Sequence, residues 1–131
     1  MGPARRRGMA QARKVAPVKR GDVYLVELGP TRGSEIKKTR PAVIIQNDID
    51  NRYSPVTIIA PITSKFDTQL YPTEVLVKPP EGGLRLESIV LLNQLRAIDK
   101  SRLGRRLGSL KPATMALVND ALAIVLALAN I

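Results

Sequence analysis

The sequence predicts a mainly β fold, a small antiparallel barrel with an α-helix at its C-terminus. Two patterns predict it. From Asp22 onward, short runs rich in Val, Ile and Leu recur at spacings of roughly 12 residues, broken by Gly, Pro, Asn and Asp, which fits consecutive antiparallel strands rather than strand–helix alternation. From Pro112 the apolar residues switch to a helical period. At 131 residues, 44% of them apolar, the chain has the material for one packed domain and not for two.

Residues 1–17 combine Gly, Ala and Arg without an apolar period, which predicts a flexible basic tail ahead of one domain over residues 18–131. Residues 23–28 read as the first strand, stopped by Gly29-Pro30, and residues 29–40 as a long polar loop. Residues 42–46 form a second strand, β-branched and buried on both faces. Residues 47–55 carry turn chemistry, and residues 56–62 form the third strand, whose Pro61 cannot donate to a ladder and so marks an edge or a bulge. A loop over 64–72 leads to a fourth strand at 73–77, a Pro-Pro-Glu-Gly-Gly turn at 79–83 and a fifth strand at 88–92. Residues 95–98 continue that strand or open a sixth, and residues 99–107 read as a short basic helix.

Pro112 suits the first position of the last helix, where its missing N–H costs nothing. Met115, Val118, Leu122, Val125 and Ala129 fall on one stripe, with Leu117, Ala121, Ile124 and Leu128 beside it. That is more apolar surface than one barrel face buries, and it points to an oligomer or partner contact.

Composition removes most chemistries. The chain has no Cys and no His, hence no disulfides, no thiolate nucleophile, no Ser–His pair and no imidazole acid or base. No cofactor or metal site stands out from residue spacing. An enzyme built from this chain must work with Arg, Lys, Ser, Thr, Tyr and carboxylates. Residues 1–20 hold seven cations and no acid, leaving fourteen cations against eleven acids in the rest, so the net charge of +10 shrinks to +3 over the predicted domain. A basic chain suits a polyanion partner. The four aromatics, Tyr24, Tyr53, Phe66 and Tyr71, are too few for a stacking platform. No apolar h-region follows the Arg-rich start, and the most apolar stretch, residues 121–129, is far short of the roughly 20 residues of a membrane span. The expectation is a cytoplasmic protein without a membrane partner.

Candidate chemistry gathers around the loop at 29–40. It ends in Thr39-Arg40-Pro41, where proline holds the preceding residue extended, and the forked guanidinium of Arg40 matches phosphate oxygens. The same Arg also suits a surface ion pair with Glu35 or Asp48. Thr63-Ser64, at the end of the third strand, offers hydroxyls that serve either a phosphate or a strand end. Asn93-Gln94 and Arg96 follow an apolar strand, and the amides suit base edges or strand termini. Arg102, Arg105 and Arg106 form a basic cluster, fit for a backbone phosphate or for a solvated helix face.

Several ordered blocks are similar to one family. Lys19-Arg20-Gly21-Asp22-Val23-Tyr24, Gly33-Ser34-Glu35, the run from Thr39 to Asp48, Tyr53-Ser54-Pro55, Pro61-Ile62-Thr63, Tyr71-Pro72-Thr73-Glu74-Val75 and the run from Ser88 to Arg96 resemble MazF/PemK-type toxins, with the likeness covering about residues 18–130. The resemblance implies a small SH3-like barrel (CcdB/PemK-like) and a homodimer. It implies a metal-independent endoribonuclease that cuts single-stranded RNA by attack of the ribose 2′-hydroxyl, leaving a 2′,3′-cyclic phosphate and a 5′-hydroxyl. It also implies a cognate acidic, MazE-like antitoxin, with association to DNA through that antitoxin. The family's essential Arg corresponds to Arg40 and its essential Thr to Thr63; Glu35 is the nearest loop carboxylate to act as base. Ser34, Lys37, Lys38, Ser64, Gln94 and Arg96 complete the expected RNA-binding set. The family often has Glu-Gln where this chain has Asn93-Gln94. Competing functions are a gyrase-poisoning toxin of the same fold, which needs no phosphate clamp, and a non-catalytic nucleic-acid-binding module.

Overall fold

The computed structural model describes residues 17–29, 33 and 39–129. The expected tail at 1–17 therefore falls, Pro17 apart, outside the described residues. Among these, seven strands and two α-helices form: β1 (Asp22–Glu27), β2 (Thr39–Ile44), α1 (Asp48–Tyr53), β3 (Val56–Thr63), β4 (Glu74–Val77), β5 (Ser88–Leu91), β6 (Arg96–Asp99), β7 (Leu103–Ser109) and α2 (Pro112–Val125). The strands pair in the order β4-β5-β3-β2-β1-β7, and β6 also pairs with β3. Every pairing is antiparallel.

β3 organises the molecule. Its first half pairs with β6, Val56 facing Asp99 and Ile59 facing Arg96. Its last two residues pair instead with β5, Ile62 facing Val90 and Thr63 facing Ile89. Pro61 sits at that change of partner and at the end of the β2–β3 ladder, where a residue without an N–H is tolerated. Strand alternation then serves two cores. Val23, Val43, Ala60, Ile62, Val75 and Val90 share one face and meet Val118 and Ala121 of α2. Tyr24, Val26, Ala42, Ile44 and Ile59 face the other way and close, with Val18 and Ile98, into a barrel-like second core. The Ala42–Ile44 half of β2 is thus buried on both faces, as its β-branched run predicts.

Four elements differ from expectation. β2 starts at Thr39 rather than residue 42, because β1 pairs with it as far as Glu27, so Arg40 stands on a strand. Within residues 47–55, Asp48–Tyr53 form α1 rather than a plain turn: Asn47 caps it by accepting the Asp50 N–H at 2.9 Å, and Asp48 and Asp50 lie in its positive first turn. Residues 99–107 are not a basic helix. Lys100–Arg102 make one 3-10 turn and β7 follows, its Gly104 and Gly108 being poor helix formers. Gly108 also admits a neighbour: a Cβ there would lie 2.7 Å from the carbonyl carbon of Gly82, and one on Gly83 would lie 2.0 Å from the Leu107 oxygen. β7 and the 3-10 turn at Glu81–Gly83 therefore touch main chain to main chain. The last helix begins at Pro112 as expected but ends at Val125, leaving Leu128 and Ala129 beyond it.

Under α1 lies a closed polar network. Asn51 accepts from the Thr57 hydroxyl at 2.8 Å and from the Gln46 amide at 3.1 Å, and donates to the Gln46 carbonyl at 2.8 Å. The Lys100 ammonium donates to the Asn51 carbonyl, and burial holds its pKa below the ordinary lysine value. Nearby, the Arg20 main-chain N–H donates to Asp48 Oδ1 at 2.6 Å while its guanidinium donates to Asn119 Oδ1 at 2.7 Å, tying α1 and α2 to the start of β1.

Candidate functional site

β1 and β2 place Arg40 opposite Val26 and Pro41 opposite Leu25. The β2–β3 register runs Ala42 to Pro61, Val43 to Ala60 and Ile44 to Ile59; carried two residues on, it sets Arg40 abreast of Thr63. The two residues that the family likeness singles out, 23 positions apart in sequence, thus stand on adjacent strands at the same end of the sheet. By strand parity they share one face. Arg96, opposite Ile59, is on that face too, four residues back along β3, a rise of roughly 13 Å.

Thr63 is 6% exposed. Its oxygen accepts the Lys65 N–H at 3.1 Å, whereas its proton has only a long contact of 3.5 Å with the Lys65 carbonyl. That leaves the O–H as a donor for which an incoming anion competes. Asp48, one of the two acids weighed as a partner for Arg40, instead accepts from the Arg20 N–H and the Asn51 amide, which hold its pKa below the ordinary carboxylate value.

Beside Arg40 opens a cavity of about 480 Å³, within the size range of ligand pockets. Leu25, Pro41, Ile62, Leu84 and Leu107 give it apolar walls. Its polar lining comes from Arg40, Ser64, Ser88, Arg85, Arg105 and Arg106. Arg106 donates to Asp22 Oδ1 at 3.1 Å in an ion pair, and this carboxylate raises the Arg106 pKa further. The field at the mouth is positive.

The expected site residues therefore divide. Arg40 and Ser64 line the cavity at the ends of β2 and β3, and Thr63, which does not line it, stands at the same end of β3. Gln94, in the 3-10 turn Leu92–Gln94, and Arg96 lie further along β3 and do not line the cavity. Ser34, Glu35, Lys37 and Lys38 fall outside the described residues. Among the described residues no group of three potential metal-ligating side chains forms. Arg85 carries no local signal of function, since it follows an ordinary turn; only the close approach of residues 82–83 to β7 brings it to Arg105 and Arg106. Those two read as a helix face from sequence and stand on β7 in the fold.

The family model described as PemK-like, MazF-like toxin of type II toxin–antitoxin system matches residues 19–126. The chain belongs to this family. It is 45% identical over 111 residues to the Endoribonuclease EndoA of Bacillus subtilis, spanning 85% of this chain and 96% of that protein. It is 44% identical over 114 residues to the Endoribonuclease MazF of Staphylococcus saprophyticus, spanning 87% and 95%. Among solved structures, an endoribonuclease in complex with its cognate antitoxin from a Mycobacterial species matches with a TM-score of 0.73 at 30% identity, covering 88% of this chain and all of that one (100%). The MazF of Deinococcus radiodurans, at 24% identity and a TM-score of 0.73, shows the same fold. The resemblance noted in the sequence blocks is thus a family relationship across the folded part of the chain.

Proposed function

We propose that this MazF-like chain is an endoribonuclease toxin that cuts single-stranded RNA at Arg40 and Thr63. In the reaction the ribose 2′-oxygen loses its proton and bonds to the adjacent phosphorus, the bond from phosphorus to the 5′-oxygen breaks, and that oxygen gains a proton. A 2′,3′-cyclic phosphate and a 5′-hydroxyl result, and no redox step or metal enters the balance. Negative charge builds on the non-bridging oxygens. A permanently charged guanidinium aimed at them is worth about 3–4 kcal/mol in the transition state. Arg40 supplies it from a strand whose backbone is held by β1 on one side. Its pKa is too high for efficient proton delivery, so charge stabilisation is its role. The Thr63 hydroxyl orients the phosphate, and Glu35 is the loop carboxylate assigned as base. With no imidazole in the chain, turnover is slow, which suits a toxin that must be held in check. Ser64, Gln94, Arg96, Ser34, Lys37 and Lys38 continue the contact along the RNA.

The observation that carries this reading is the alignment of Arg40 with Thr63 at one end of the sheet, Arg40 also lining a positive cavity, in a chain of this toxin family. An acidic antitoxin segment would occupy the same groove, by analogy with the mycobacterial relative solved with its cognate antitoxin. Leu117, Leu126 and Leu128, all more than half exposed, offer an apolar face for a homodimer. DNA is reached only through the antitoxin. No helix of the described residues is long and apolar enough to cross a membrane, and the site of action is placed in the cytoplasm, where messenger RNA is found.

Incubating purified protein with single-stranded RNA in excess EDTA tests the proposal. Fragments with 5′-hydroxyl ends are expected. RNA that stays intact while gyrase is inhibited would transfer the chain to the gyrase-poisoning alternative.

A further inference from the structure

Arg102 does not line the cavity and has no task in the mechanism above, yet its side chain reaches the end of the ladder that carries Arg40. The β2–β3 pairing covers Ala42 to Ile44, whereas β1 pairs with β2 through Val26 and Arg40 to a last rung at Glu27 and Thr39. End rungs are the first part of a ladder to fray. At this end the Arg102 Nη1 donates to the Glu27 carbonyl at 3.2 Å. The same nitrogen lies against Gly29, where a Cβ would stand 2.8 Å from it. Gly29 has φ +68°, a conformation glycine adopts without strain, so one residue both turns the chain out of β1 and clears space for the guanidinium.

Arg102 is itself braced from behind. It ends the 3-10 turn Lys100–Arg102, which Asp99 caps by accepting the Ser101 N–H at 2.8 Å. The Lys100 N–H donates to the Pro55 carbonyl at 2.9 Å, and the Lys100 ammonium to the Asn51 carbonyl. The next residue, Leu103, pairs with Val26, which has Arg40 on its other side. An anchored turn thus delivers a long charged donor to the last carbonyl of the strand beside Arg40.

We infer that Arg102 is a positioning residue for Arg40: it closes the last rung of the β1–β2 ladder and so keeps Arg40 abreast of Thr63. The inference rests on the ribonuclease reading and adds to it a residue that acts through Arg40 and not on the RNA itself. Misplacing a catalytic group by about 1 Å costs up to about 100-fold in rate, and a rung that opens part of the time costs less.

The test uses the full chain, a cleavable RNA oligonucleotide and amide exchange followed by NMR. Arg102→Ala is expected to lower kcat about 5- to 20-fold with KM and melting temperature nearly unchanged. The amides of the Val26–Arg40 and Glu27–Thr39 rungs should exchange about tenfold faster, while those of Val43 and Ile44 keep their wild-type rates. Arg102→Lys, which retains a donor on a long stem, should recover part of both effects. In single turnovers with excess protein, Arg102→Ala should cost little further rate once Arg40→Ala is present, because the two act through one group. Unchanged kcat and exchange overturn the inference, as does a full additional loss in the Arg40→Ala background. A rise in KM with a salt dependence of binding flatter by about 0.7 in log–log slope also overturns it, since that makes Arg102 a phosphate contact. If the wild-type chain cuts no RNA but the exchange pattern holds, the brace stands and the ribonuclease reading falls.

Discussion

Two threonines sit six residues apart on one face of β3 and meet opposite fates. Thr57, with no exposed surface (0%), donates its hydroxyl to Asn51 inside a network where Gln46, Asn51 and Lys100 also have partners. Thr63, at the far end, spends one lone pair on the Lys65 N–H, and its proton has only a stretched local acceptor. Residue type, strand and parity are shared. What differs is the surroundings: a sealed network beneath α1 against a strand end with one stretched local acceptor. Polar groups whose partners are all internal hold the fold together, whereas a hydroxyl whose proton has only a stretched acceptor is set for a ligand. The distinction is in the wiring of the hydrogen bonds, and each end of β3 can be perturbed separately to examine it.

The largest effect is expected at the open end. Arg40→Ala should lower kcat by about 100- to 1000-fold, the figure for losing one good donor to a developing oxyanion, with melting temperature nearly unchanged. Cleavage at the wild-type rate would remove Arg40 from the site. The threonines then provide a matched pair. Thr63→Val should reduce kcat about 10- to 100-fold, less than loss of a charged donor, and leave unfolding almost untouched. Thr57→Val should do the reverse, costing about 1–2 kcal/mol and roughly 5 °C in melting temperature while activity per folded molecule persists. A swap of these two phenotypes, measured by thermal denaturation and initial rates, would break the comparison.

The smallest effect concerns the clasp beside the sealed network. The Arg20 N–H keeps the Asp48 carboxyl below its ordinary value of 3.8, so its contribution is complete above that pH and disappears as pH falls through the lower folded value. Asp48→Asn should therefore cost less than about 1 kcal/mol near neutrality, with the gap to wild type narrowing in acid; a gap that widens below pH 3.8 would contradict the assignment.

Much of this fold is legible in residue order because its signals are local. β-branched runs mark β1 to β5, and Pro112 marks the start of α2. α1 is harder to foresee, since the Asn47 and Asp48 that favour its cap and first turn also favour a tight turn. β7 is disguised: Leu103 and Leu107 are spaced as on a helix, and only pairing with β1 makes the segment extended. For the site, Arg40 and Thr63 come from family likeness rather than periodicity, and their alignment needs a register that no single segment encodes. That Arg85 and Arg105 line one cavity is not legible at all, because it depends on a contact between two glycine-containing backbones.

That contact has an evolutionary corollary. Where peptide planes press directly together, the spacing between two walls is inherited from the chain's course and not from any rotamer. The tips that project into the hollow are then open to exchange, while its width persists as a dimension of the scaffold.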